Sequence, residues 1–265
     1  MKTTITLLTL LVSTTAQAAF KEKKNLPKTP ETIELDTNNT VVLRGEVNES
    51  SVGSVIKGIE NINSDIVYLY LDTPGGSVFA GMQLVSYIRA SPKKVVAVVN
   101  TAISMGFVIL QAADERIGTE SSLAMQHTVS YGIRPQPAPN AVSFQRFLER
   151  STELMDRAQS KRIGISYVDF KQKTRSDWWT YGQDVIDANI VDRSATVTCT
   201  KRAMNAEIED TKLTAFGPLV VTWSGCPILG APLKVDAKKF FGGTQLEFEI
   251  IQSLDVKTTA LKDYK

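Results

Sequence analysis

A serine, a histidine and an aspartate are spaced along this chain in a way that suits one kind of chemistry. Ser104 stands in Ala102-Ile103-Ser104-Met105-Gly106, at the opening of an apolar run. His127 follows 23 residues later and is the only histidine in the 265-residue chain. Asp177 lies 50 residues further on. A serine hydroxyl is a weak nucleophile; it needs an adjacent base, a group that orients the base, and donors for the oxyanion that forms. With one histidine, only one imidazole can be that base. The diglycine Gly75-Gly76 can present backbone N–H groups with no side chain in the way. Each residue alone has a plainer reading. Ser104 at a helix start is commonly an N-cap. His127 alone reads as structural, Asp177 as an N-cap or surface acid, and a diglycine as a turn.

The elements that must position these residues can be read from periodicity. Val41-Val42-Leu43, within residues 39–47, reads as a short strand. From Ser50 to Ile62, apolar residues recur at three- and four-residue steps, which predicts an amphipathic helix. Asp65 to Leu71 is β-rich with little alternation, as a strand buried on both faces should be. Thr73-Pro74-Gly75-Gly76-Ser77 is a turn, and Phe79 to Ile88 has helical spacing. Lys94 to Val99 predicts a second buried strand, followed by an apolar helix from Met105 to Ala112. Arg116-Ile117 and Ala124-Met125 read as short strands. Residues 141–172 read as one long helix, and residues 182–191 as a helix followed by a small strand. This order predicts an α/β fold with a mainly parallel sheet, whose sites lie at the carboxyl ends of the strands.

Bulk properties narrow the partners. A hydrophobic content of 43% over 265 residues supports a full core. Charge is nearly balanced, at +2 overall, which gives no reason to expect nucleic acid. No cofactor-binding or metal-binding pattern is read. Lys2, the apolar run Ile5 to Val12 and Ala16-Gln17-Ala18 predict a signal peptide over residues 1–18, cleaved after Ala18. The apolar run is too short to span a membrane, so no stable anchor is expected after cleavage, and the mature chain is expected in the periplasm or outside the cell. Residues 19–38 read as a flexible lead-in. In an oxidising compartment Cys199 and Cys226 could pair and close a loop, although two buried free thiols are the alternative. From residue 194 to 265 the texture changes to short β-like runs, including Leu219 to Trp223 and Gln245 to Ile251, which predicts a small β-rich extension.

The joint pattern resembles the Clp protease proteolytic-subunit family, the ClpP-type serine peptidases. The matching stretches are Ile66 to Met82, with Asp72-Thr73-Pro74-Gly75-Gly76-Ser77 at its centre, then Ala102 to Gly106, then Met125-Gln126-His127. Ser176-Asp177-Trp178-Trp179 and Val185 to Asp192 continue it. The resemblance implies a ClpP/crotonase-like spiral of β-β-α units over residues 39–193. It implies Ser104 as nucleophile, His127 as general base and Asp177 as the acid that orients it. The backbone N–H groups of Gly76 and Met105 match the oxyanion hole. It also implies a homo-oligomeric ring and a peptide or unfolded-protein substrate. The chain departs from the family at Ile103, at Thr128 and at Trp178-Trp179. The ATP-driven unfoldase that serves cytoplasmic members is not expected to serve an exported chain. Three other readings share the superfold: a crotonase-type acyl-thioester enzyme, a Ser-Lys signal-peptide peptidase, and a catalytically silent assembly or binding protein.

Overall fold

A computed structural model describes residues 31–130, 137–214 and 217–236. The expected signal peptide over 1–18, the lead-in as far as residue 30 and the expected strand Gln245–Ile251 lie outside the described residues. The chain opens with β1 (Thr32–Leu35), β2 (Thr40–Arg44), α1 (Glu49–Asn61), β3 (Ile66–Thr73), α2 (Val78–Ala90), β4 (Lys94–Ile103) and α3 (Met105–Ala112). Then come β5 (Glu115–Gly118), β6 (Leu123–Gln126), α4 (Ala138–Ile163), α5 (Tyr167–Thr174), β7 (Trp178–Tyr181) and α6 (Gln183–Asp187). It ends with β8 (Arg193–Ser194), β9 (Thr196–Cys199), α7 (Lys201–Asn205), β10 (Glu207–Thr214), β11 (Gly217–Ser224) and β12 (Lys234–Asp236).

The central sheet runs β2-β3-β4-β5-β8, all parallel. Its middle strand, β4, is long enough to serve two neighbours on one side. Val96 to Val98 pair with β5, and Thr101 to Ile103 pair with β6. Between them the β3–β4 register slips, so that Leu71 faces Val99 while Asp72 faces Thr101. The slip leaves Asn100 as an extra residue, and such a bulge bends the strand. The carboxyl half of β4 is thereby carried toward β6, on which β7 adds antiparallel.

Both faces of the sheet are covered, which is why β3 and β4 read as continuous apolar runs. On one face, Leu69, Leu71, Ala97 and Val99 pack against α1, α2 and α3 through Val55, Leu84 and Phe107. On the other, Tyr70, Val96, Val98 and Ile117 meet Ile33, Leu35 and Ala195. Ile33 and Leu35 belong to β1, which pairs in parallel with β9.

The expected lead-in therefore joins the fold earlier than residue 39. Ile33 and Leu35 are buried between exposed Thr32 and Glu34, a period of two set inside a polar stretch. The expected boundary at residue 194 also shifts, because β8 completes the main sheet and β9 holds β1. The single helix expected over 141–172 is two helices. Gly164 ends α4 in a left-handed conformation (φ 85°), and the Ser166 hydroxyl caps α5 by accepting from the Asp169 N–H.

Beyond β9 the extension is built from α7 and the antiparallel sheet β10-β11-β12. Cys199 and Cys226 are joined in a disulfide across 27 positions of sequence. Asp36, buried beside α7, accepts from Arg202 Nη2 at 2.6 Å and from the Thr200 hydroxyl. The Arg202 guanidinium, with help from that hydroxyl, holds the Asp36 carboxyl down at about 2. No helix among the described residues is long and apolar enough to cross a membrane.

Candidate active site

The sheet brings Ser104, His127 and Asp177 to one end of three adjacent strands. β4 and β6 are in register at Ile103 and Met125, so Ser104 follows one strand end and His127 lies just beyond the other. The Ser104 N–H donates to the Met125 carbonyl at 2.8 Å. β7 runs antiparallel with Trp178 opposite Gln126, so Asp177 immediately precedes β7 at the same edge. The Thr128 N–H donates to the Thr174 carbonyl at 3.0 Å, tying the segment after His127 to the one before Asp177.

His127 Nε2 lies 2.8 Å from Ser104 Oγ, a hydrogen-bond distance. Ser104 has φ 55° and ψ −115°, a conformation that few residues other than glycine adopt. It stands at the N-terminus of α3, yet its hydroxyl makes no capping hydrogen bond. The plain N-cap reading of Ser104 is therefore not what the structure contains. The junction turns the hydroxyl toward the imidazole, much as a strained strand-to-helix elbow exposes a nucleophile. Asp177 is the looser partner. Its Oδ1 lies 3.9 Å from His127 Nδ1, with 58% of the side chain exposed. That is ion-pair range, and about 1 Å of closure would bring it to hydrogen-bond distance. Asp177 also has a positive φ, 45°.

The glycine loop lies against this junction. A Cβ on Gly75 would sit 2.7 Å from the Ile103 carbonyl oxygen and 2.9 Å from the Met105 nitrogen, so only glycine permits the approach. Gly76 is packed as tightly on Val47, where a Cβ would fall 2.4 Å from the carbonyl oxygen. The Gly76 and Met105 N–H groups donate to no acceptor among the described residues. Below the loop, an apolar groove of about 700 Å³ runs between α2 and α4, lined by Gly76, Val78, Met82, Phe147, Leu148 and Met155 among others.

Two supports escaped the sequence reading. Gln126 Oε1 accepts from the His127 N–H at 3.1 Å, and its Nε2 donates to Gln159 Oε1 of α4 at 2.5 Å. Both glutamines are buried, so α4 reaches the backbone of the histidine through a single amide-to-amide hydrogen bond. Trp178, which the sequence alone gives no packing role, packs between Phe107 of α3 and Phe170 of α5, with ring centroids 6.2 Å from each. No motif marks either contact; a buried polar residue beside a candidate base is the one available hint. Among the described residues no group of His, Cys, Asp and Glu could hold a metal ion.

The spiral of strands and helices, with the glycine loop and serine junction at its carboxyl edge, is the ClpP/crotonase-like fold. A sequence model of the Clp protease family matches residues 29–197, and this chain belongs to that family. It is 30% identical over 165 residues to the ATP-dependent Clp protease proteolytic subunit 3 of Rhodococcus jostii, covering 58% of this chain and 79% of that protein. The subunit 3 of Parasynechococcus marenigrum is 27% identical over 166 residues, covering 60% and 83%. The subunit 2 of Pseudomonas aeruginosa is 26% identical over 159 residues, covering 58% and 79%. The matched region starts ahead of β1 and stops inside β9, which leaves Cys199, Cys226 and the extension outside it.

Proposed function

We propose that this protein is a serine peptidase in which Ser104 attacks the scissile carbonyl and His127 takes its proton. The observation that carries this reading is the 2.8 Å contact between His127 Nε2 and the hydroxyl of a serine held in a strained conformation. As Oγ bonds to the carbonyl carbon, its proton passes to Nε2. The imidazolium then gives that proton to the leaving amine as the C–N bond breaks. Water, deprotonated by the same imidazole, releases the acyl group. Asp177 closes on Nδ1–H and stabilises the imidazolium. The oxyanion is met by the N–H groups of Gly76 and Met105, which donate to no acceptor among the described residues. An acyl-thioester enzyme would need only such backbone donors and would leave the Ser104–His127 contact without a task.

The substrate is an extended peptide or unfolded polypeptide, with an apolar side chain seated in the groove between α2 and α4. The protein assembles as a homo-oligomeric ring, as its family generally does. It works outside the cytoplasm, without an ATP-driven unfoldase. The residue 1–18 pattern and the Cys199–Cys226 bond support that location, because disulfides persist mainly in oxidising compartments. Turnover of an unstructured reporter peptide tests the chemistry. Ser104→Ala and His127→Ala should each lower kcat by orders of magnitude. Unchanged turnover in either variant would overturn the assignment.

A further inference from the structure

Arg44 and Asp72 face each other as the last register pair of β2 and β3. Both arms of the glycine loop stand on this rung. Gly45, Glu46 and Val47 continue from β2, while Thr73 and Pro74 lead to Gly75 and Gly76. The arms are laced together, because the Val47 N–H donates to the Gly75 carbonyl and the Ser77 N–H to the Val47 carbonyl, each at 2.8 Å. At the base, the Gly45 N–H donates to the Asp72 carbonyl at 3.0 Å. Arg44 Nε donates to Asp72 Oδ2 at 3.1 Å, and Asn100, the extra residue of the β4 bulge, donates to Oδ1 at 3.0 Å.

The same guanidinium is gripped from the other side by the extension. Arg44 Nη2 donates to the Pro227 carbonyl at 2.6 Å, and its carbon lies 4.8 Å from the centre of the Trp223 ring. Pro227 directly follows Cys226, which is bonded to Cys199 at the end of β9. A planar fork that is always charged suits this double engagement, and a lysine could not reproduce it. We propose that Arg44 is a positioning residue for the loop that carries Gly76. The C-terminal extension, an addition to the family region, holds it in place through Trp223, Pro227 and the disulfide.

The inference rests on the proposed role of the Gly76 N–H as an oxyanion donor. Such a donor acts only when its geometry is set before the charge develops. Releasing the guanidinium from the extension loosens the rung and misplaces the donor at the groove's rim, while the α2 and α4 side chains that line most of the groove stay in place. The defect therefore falls on the transition state and spares ground-state binding.

Arg44→Met, in the full mature chain, keeps an unbranched apolar side chain and removes the guanidinium that lies over Trp223. It should lower kcat about ten- to a hundredfold with KM held within about twofold. Affinity for a tetrahedral peptide boronate should fall in parallel with kcat/KM, and affinity for the cleaved product peptide should not change. Opening the disulfide of the wild type with a mild reductant should give the same pattern, with no further loss in Arg44→Met. Should Arg44→Met not fold, Trp223→Leu, which spares the Arg44–Asp72 pair, carries the same prediction at smaller size. Folded variants and reduced wild type with kcat and boronate affinity within about twofold of the oxidised wild type would overturn the inference. An inactive wild type would instead overturn the proposed function.

Discussion

Ser104 occupies a backbone conformation that costs about 1–3 kcal/mol and is kept only where the surroundings enforce it. Here they do: its N–H is bound to Met125, its neighbours start α3, and Gly75 presses on it from the side. Gly75→Ala would drive a Cβ to within 2.8 Å of Ser104 Cβ. The loop must then move, and turnover should fall at least about tenfold in a chain that still unfolds cooperatively. Turnover of Gly75→Ala equal to wild type would contradict this packing account. The pH profile belongs to the same scale. An imidazole can take the serine proton only when neutral, so activity should fall on the acid side. Activity that does not fall on the acid side would count against His127 as base. Ser104 and His127 were legible in the sequence because each stands just beyond an apolar strand with a clear pattern. Asp177 was legible by its spacing and through family resemblance but not from a strand pattern, since β7 follows no apolar run.

At the scale of elements, the site depends on α4 reaching across to β6. Gln126 Nε2 donates to Gln159 Oε1 in the interior, where the two residues have relative exposures of 4% and 2%. Removing one partner strands a buried amide. Gln159→Leu should cost about 1–3 kcal/mol in urea unfolding, and the Gln126→Leu/Gln159→Leu chain should recover little of that, because it also removes the acceptor of the His127 N–H. Equal stability of the single variant and the wild type would show that the pair carries no weight. An amide pair has no spacing signature, so this link was invisible in the sequence, as was the break between α4 and α5. Gly164 and Ser166 signal a stop and a restart, but the apolar face continues across them into Phe170, and the periodicity outweighed the caps. The buried parallel strands were legible because burial on both faces leaves a continuous apolar run that few other elements produce, although β4 runs past the expected end at Val99 to Ile103, beyond the polar Asn100 and Thr101.

At the scale of the molecule, the start of the described chain is fastened to the segment that opens the extension. β1 pairs with β9, and Asp36 binds Thr200 and Arg202 just past it. The Asp36 carboxyl titrates at about 2, below its ordinary 3.8, chiefly through the Arg202 hydrogen bond. Because the folded value is the lower one, this contribution is present above pH 3.8 and is lost as pH falls toward 2. Asp36→Asn should thus be less stable at neutral pH and should lose less stability than wild type across that acid window. Parallel acid-unfolding curves for the two chains would contradict this. The sequence signalled the extension by its change of texture but not its attachment. Ile33 and Leu35 alternate too briefly inside a polar segment to announce a strand. Nothing local to Arg44 says that a residue 183 positions away will hold it.

The most direct test of the account is to label the purified protein with a fluorophosphonate and locate the adduct by mass spectrometry. The account predicts one phosphonylated residue, Ser104, with labelling abolished in Ser104→Ala and slowed by orders of magnitude in His127→Ala. Labelling that persists in Ser104→Ala, or an adduct on another serine, would contradict it.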